Sequence, residues 1–259
     1  MPYEELVDLL LVYLLVGLRF LGLLFSNPVF LAPAWPLPVR FWTAMLLAVV
    51  VTPGVGLSYP GPLFAHWGFL FVAAGREFLI GVTLGLFAGL PLYALQMSGF
   101  FEGTQMGLGI ATFFDPMSET QVALIGQMKY LLGVWFFFHW NGHLLLIEAL
   151  TESLRLIPLA KGTWGGGAAI PWGLWLQKLF VLSLQMALPL FGALLLADVG
   201  MGFVARTVPQ MNLFVLGIPL KIGLGLFILL AVLPLTVDLF HSTVERAVEM
   251  ALEGALLWK

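Results

Sequence analysis

The sequence predicts an all-α, multi-helix integral membrane protein whose helices are broken and doubled back into hairpins. Three observations carry this. The 259-residue chain is 61% hydrophobic and only 10% charged, with a mean hydropathy of +1.02; a soluble domain has about 25% charged residues. Apolar runs follow one another from end to end, and residues 213–240 (LFVLGIPLKIGLGLFILLAVLPLTVDLF) exceed the about 20 residues that cross a bilayer. The alternation that a membrane barrel needs, in segments of about ten residues, is absent. The runs are nevertheless punctured: 213–240 contains Pro219, Lys221, Pro234 and Asp238. A charge at the hydrocarbon centre costs at least roughly 2.5 kcal/mol, and such groups normally face protein or water. These segments are therefore expected to pack against protein, in an assembly larger than one chain.

The elements follow in order. The opening MPYEELVDLL is acidic and lacks the positive n-region and small-residue cleavage site of a secretory signal, so the first run, 8–25, is expected to be a retained helix. Residues 26–40 (SNPVFLAPAWPLPVR) carry four prolines and read as an extended loop. Further apolar runs cover 41–58, 63–90 and 91–110, the last two divided at Pro91, and then 122–147; proline removes a backbone donor and clashes with the preceding turn. The Gly-rich 161–173 (KGTWGGGAAIPWG) divides the chain into 1–170 and 171–259. Runs 174–204 and 213–240 are expected to form a hairpin turning near Arg206, Pro209, Gln210 and Asn212. The tail reads as an amphipathic helix, with Glu245, Glu249 and Glu253 on one face and Val244, Ala247, Val248, Ala251 and Ala255 on another. Arg40, Arg155, Lys161, Arg206, Arg246 and Lys259 are too scattered along the loops to set an orientation by the positive-inside rule.

Composition also excludes function classes. A net charge of −3 with 11 Lys and Arg leaves no basic field for nucleic acid. The absence of cysteine excludes disulfides, thiolate metal sites and cysteine nucleophiles. His139 and His143 have metal-compatible spacing, but Asn141-Gly142 between them reads as a turn and no acidic third ligand precedes Glu148. No phosphate-binding loop, nucleophile elbow or zinc-protease motif is present, so no cofactor or catalytic constellation is implied.

Several groups remain. Gly81, Gly85 and Gly89, and again Gly99, Gly103 and Gly107, recur every four residues, placing small residues on one helix face where backbones approach closely. Arg76 and Glu77 read as the interfacial start of a helix, a buried inter-helix ion pair being the sharper alternative. Lys129, Asp198, Arg206 and Lys221 lie in or beside apolar runs and read as structural pairs, such as Asp198 with Lys221 or Arg206, rather than a proton relay. Residues 99–127 run from a Gly-rich helix through Phe113-Phe114-Asp115-Pro116 into a polar stretch and a second apolar run. Irregular backbone at membrane depth is tolerated only inside protein or beside a water-filled cavity. Met106, Phe113, Phe114 and Met117 would then supply a deformable apolar seal, Gly107 and Gly109 the bend, and Pro116 the return; an ordinary exposed connector is the alternative.

These residues carry a resemblance. EGTQMGLGIATFFDPMSETQ (102–121), NGHLLLIEALTESLRLIPLA (141–160) and MALPLFGALLLADVGMGFVARTVPQMNLFVLGIPLKIGLGL (186–226), with the earlier LRFLGLLFSNPVF (18–30), resemble in order the FliR/SctT family of type III secretion export-gate proteins. The resemblance implies a FliP-like part (1–170) joined to a FliQ-like part (171–259), in a closed helical assembly around an export channel of the bacterial inner membrane and flagellar basal body. It implies FliP-like and FliQ-like gate partners, an FlhB-like switch protein, a FliE-like inner-rod protein and unfolded export substrates. It assigns the channel plug to about 107–118. The rival reading is a secondary transporter for a small solute or ion, to which broken helices are suited; repeated halves and convergent polar groups, which it needs, are not found in the sequence.

Overall fold

The computed structural model describes residues 3–31, 35–55, 67–108, 124–161, 172–207, 213–256 and 258. Among them the regular structure is helical, without strands: α1 (Tyr3–Ser26), α2 (Pro28–Leu31), α3 (Leu37–Val55), α4 (Trp67–Ala88), α5 (Leu90–Gln105), α6 (Leu124–His139), α7 (Gly142–Leu156), α8 (Trp172–Thr207) and α9 (Leu213–Leu256). Five of these are long and apolar enough to cross a membrane, or six if α6 and α7 count as one broken span. The fold is thus that of an all-α, multi-pass membrane protein.

The chain forms two compact units. The first comprises Met1–Leu90, Phe137–Trp172 and Val244–Lys259, the second Pro91–Phe136 and Gly173–Thr243. This partition by contact is drawn on other grounds than the expected division of the chain at residue 170.

In the first unit α1 is central. Val12, Leu15, Val16, Arg19, Phe20, Leu23 and Leu24 are buried, the 3–4 spacing of one helix face. Against that face lie α4 and the small-residue stripe Ala44, Ala48 and Thr52 of α3. The first glycine triplet explains the α1–α4 approach: a methyl on Gly81 would strike the Arg19 carbonyl, one on Gly85 would strike Leu23 and Ser26, and one on Gly89 would strike Pro28. Gly22 answers from α1, where a methyl would strike the Phe78 carbonyl. The crossing is therefore backbone on backbone, a geometry open only to glycine.

The apolar run that sequence ends at 147 continues beyond it. After Asn141, in the left-handed region at φ 58°, α7 buries Leu146, Ala149, Leu150, Ser153 and Leu154. Its hydroxyl and carboxyl residues lower the hydropathy of the segment without disturbing its helical stripe. The tail likewise is not a separate helix but the end of α9, with Val244, Ala247, Ala251 and Ala255 buried and Glu245, Glu249 and Glu253 exposed. A methyl on Gly254 would strike the Phe87 ring.

In the second unit, α5 and α6 cross where a methyl on Gly99 would meet Gly126 at 2.6 Å. The hairpin arms α8 and α9 run antiparallel, with Asp198 against Lys221 and Met201 beside Gly217; the turn residues 208–212 lie outside the described residues. Met106, Ile125, Leu190, Leu194 and Leu229 form the apolar core of this unit. The break expected at Pro91 falls at Gly89: α4 ends at Ala88, α5 begins at Leu90, and Pro91 occupies its first turn, where a missing N–H costs nothing.

Candidate functional site

Among the described residues, three ionic groups that join different helices and one helix end stand out. The first group is fully buried. Arg19 donates from Nε to Glu77 Oε2 at 2.6 Å, from Nη1 to Ser153 Oγ at 3.2 Å and from Nη2 to the Ile157 carbonyl at 3.1 Å. The other Glu77 oxygen accepts the backbone N–H of Ala160 at 3.0 Å. Ala160 has φ 59°, an unfavourable region for a residue with a Cβ, and this hydrogen bond holds it there. The Ser153 hydroxyl in turn donates to the Leu150 carbonyl at 2.6 Å. A buried charge is tolerable when paired and hydrogen-bonded on all sides, and this network joins α1, α4, α7 and the turn after α7. Glu77 therefore lies mid-helix in the core, and the reading of Arg76-Glu77 as an interfacial start is corrected. The apolar runs concealed the pair because its partners are 58 residues apart.

The second group is less complete. Lys129 on α6 reaches Glu102 Oε1 on α5 at 2.6 Å and Ser98 Oγ at 2.9 Å, with both side chains of the ion pair 2% exposed. Ser98 donates to the Leu95 carbonyl. Glu102 Oε2 is buried without a partner among the described residues. The pair closes over the Gly99–Gly126 crossing, one helical turn away in sequence, and so ties α5 to α6.

The third group is half-exposed. Lys221 on α9 meets Asp198 on α8 at 2.5 Å, with side chains 21% and 37% exposed, and Gln105 Nε2 donates to the other Asp198 oxygen at 3.4 Å. Arg206 lies two turns beyond Asp198, exposed in the last turn of α8, where a cation favours the helix C-terminus. Of the charges singled out in sequence, then, Asp198 and Lys221 come together, Arg206 stands apart, and none of the three is fully buried. The buried ones are Arg19, Glu77, Glu102 and Lys129. The apolar pattern does not mark Glu102, whereas a lone arginine inside the first apolar run is a signal for Arg19.

The helix end is at α5. The Leu108 N–H bonds to the Gly103 carbonyl and the Gly107 N–H to the Thr104 carbonyl, both at 3.1 Å, with Gly107 at φ 85°. This is a Schellman cap with glycine at C′, and Leu108 supplies its apolar contact by packing on the second unit's core. Gly107 therefore stops the helix and does not extend the face of Gly99 and Gly103. Met106 is fully buried in the same core, with Gly225 so close that a methyl there would meet its side chain at 2.6 Å. In this structure it is a core residue. Gly109, Phe113, Phe114, Pro116 and Met117 lie outside the described residues. His139 ends α6 and His143 begins α7, on either side of the left-handed Asn141.

Comparison with known proteins bears on this geometry. The family described as Bacterial export proteins, family 1, matches residues 10–247. The flagellar biosynthetic protein FliR of Bacillus subtilis is 32% identical over 231 residues, covering 88% of this chain and 88% of its own. FliR of Escherichia coli is 29% identical over 232 residues, covering 90% and 88%. The Yop proteins translocation protein T of Yersinia pestis is 27% identical over 164 residues, covering 62% of each. The match runs from within α1 to within α9 and includes Arg19, Glu77, Glu102 and Lys129: this chain belongs to the bacterial export proteins, family 1.

Proposed function

We propose that this chain, a multi-pass inner-membrane component of the flagellar type III export apparatus, is a non-enzymatic subunit of the export gate that helps to form and seal the channel for unfolded flagellar proteins. One observation carries the assembly reading. Asp198 and Lys221 form an ion pair that remains 37% and 21% exposed on two helices of membrane-spanning composition. An ionic group facing hydrocarbon is costly, so this face meets protein or water in the working particle. The lengths agree: α8 has 36 residues and α9 has 44, and at 1.5 Å per residue both exceed the about 30 Å of bilayer hydrocarbon.

The partners in this reading are FliP-like and FliQ-like gate subunits, an FlhB-like switch protein, a FliE-like inner-rod protein and the exported chains themselves. The plug is assigned to the stretch after the Gly107 cap, through Phe113, Phe114, Pro116 and Met117. The solute-transporter reading finds no support among the relatives, which are flagellar biosynthetic and Yop translocation proteins. The test is expression with and without the gate partners. Alone, the chain should extract as aggregate or be degraded; together with FliP-like and FliQ-like subunits it should copurify in fixed proportion. A monodisperse, thermally stable monomer from solo expression counts against the proposal.

A further inference from the structure

We infer that Arg40 is a lipid-phosphate ligand: with the Phe25 ring beneath it and exposed aromatic residues around it, it forms a membrane-surface site for the phosphate of an anionic lipid headgroup. Arg40 has no acidic neighbour in sequence. No acidic residue occurs between Asp8 and Glu77, and Arg40 is the one Asp, Glu, Lys or Arg from residue 20 to residue 75. Glu77 is already taken by Arg19 and the Ala160 N–H.

The structure places the guanidinium carbon 5.7 Å from the centroid of the Phe25 ring. Arg40 Nε is buried with no hydrogen-bond partner among the described residues. A ring face holds a guanidinium and fixes its plane, but it satisfies no N–H. Nε itself is out of a lipid's reach, but the side chain as a whole is half-buried, so its outer nitrogens are open to an acceptor with several oxygens, and phosphate matches the guanidinium fork. The position specifies the source of that phosphate. The apolar span of α1 ends at Ser26 and that of α3 begins at Leu37; Arg40 over Phe25 brings these two ends to one level. Leu37, Val39 and Phe41 are exposed there, and Trp42 is 65% exposed. Trp35 stands edge-on to Phe30 at 5.5 Å. Tryptophan and arginine at the ends of apolar spans mark the headgroup layer, and a free phosphate ion would gain nothing from the exposed apolar side chains that lipid chains would cover.

This inference rests on membrane insertion alone and is independent of the gate reading. The test uses the full chain in its native membrane complex, in cells supplied with a phosphatidylglycerol analogue bearing a photoactivatable headgroup. Illumination should label the peptide spanning Phe25 to Trp42. In Arg40→Gln the labelling should fall about tenfold, the order expected for loss of one charge-assisted contact, while Arg40→Lys, which keeps the charge but loses the fork, should be intermediate. Excess inorganic phosphate should not compete. No labelling in the wild type, equal labelling in all three proteins, or competition by inorganic phosphate each overturns the lipid site. So does cross-linking to a partner subunit, in place of lipid, from a photoreactive amino acid placed at position 42. If Arg40→Gln does not assemble, the wild type and Arg40→Lys decide the question alone.

Discussion

At the scale of single residues, the two buried ion pairs differ in how completely they are satisfied. The Arg19–Glu77 pair uses both carboxylate oxygens and all three guanidinium nitrogens. The Glu102–Lys129 pair leaves Glu102 Oε2 without a partner among the described residues. Attraction between buried charges repays desolvation only when geometry and hydrogen bonding are complete. Glu102→Ala should therefore strand the Lys129 ammonium and destabilise the protein by about 3–5 kcal/mol, whereas the apolar double variant Glu102→Leu with Lys129→Met should be near neutral or stabilising. Heating the solubilised complex and following its loss measures both. Equal damage from the single and double variants would show that the pair contributes something other than charge compensation.

At the scale of elements, glycines sort by what surrounds them. A methyl on Gly81 would strike the backbone of Arg19, while Gly192 on α8 has open space. Gly81→Ala must push α1 and α4 apart and should reduce complex yield sharply; Gly192→Ala should be tolerated, with a gain of about 0.5–1 kcal/mol from helix propensity if no partner covers it. Indistinguishable yields, measured by quantitative pull-down, would refute the backbone-on-backbone crossing. The α8–α9 hairpin offers a second test. Lys221→Glu places two carboxylates against each other where Lys221→Gln leaves one unpaired Asp198. The reversal should impair assembly more than the neutral change. Normal yield from both would mean that the pair has no part in assembly.

At the scale of the whole molecule, an export channel must be tight to ions when idle, and apolar constrictions can achieve this by excluding water. The Schellman cap at Gly107 ends α5, and the proposed plug is tested beyond it. Deleting about five residues between 109 and 117, a typical connection length, should leave the complex assembled and the cells leaky to small ions. A conductance measurement at matched complex levels distinguishes a plug from a connector; assembled deletion gates as tight as the wild type would dispose of the plug assignment.

The sequence by itself determined the class and the family. Hydropathy and charge count are sums over residues and need no knowledge of contacts, so an all-α membrane protein was legible at once; the ordered motifs from LRFLGLLFSNPVF to the 186–226 segment carried the family. Local signals were legible too: the glycine triplet 81–85–89, the Asn141-Gly142 turn and the tail's alanine face each depend on neighbours within two or three helical turns. Tertiary structure alone decided which charges pair. Arg19 finds Glu77 across 58 residues, Ser153 across 134 and the Ile157 carbonyl across 138, and no periodicity reports a contact at that separation. Structure also turned Gly107 from a packing glycine into a helix stop, because four-residue spacing records a helical face only as far as the helix runs. The physical reason is common to these cases: hydrophobicity and propensity act locally and add, whereas a buried charge or a close backbone approach is a property of two segments at once.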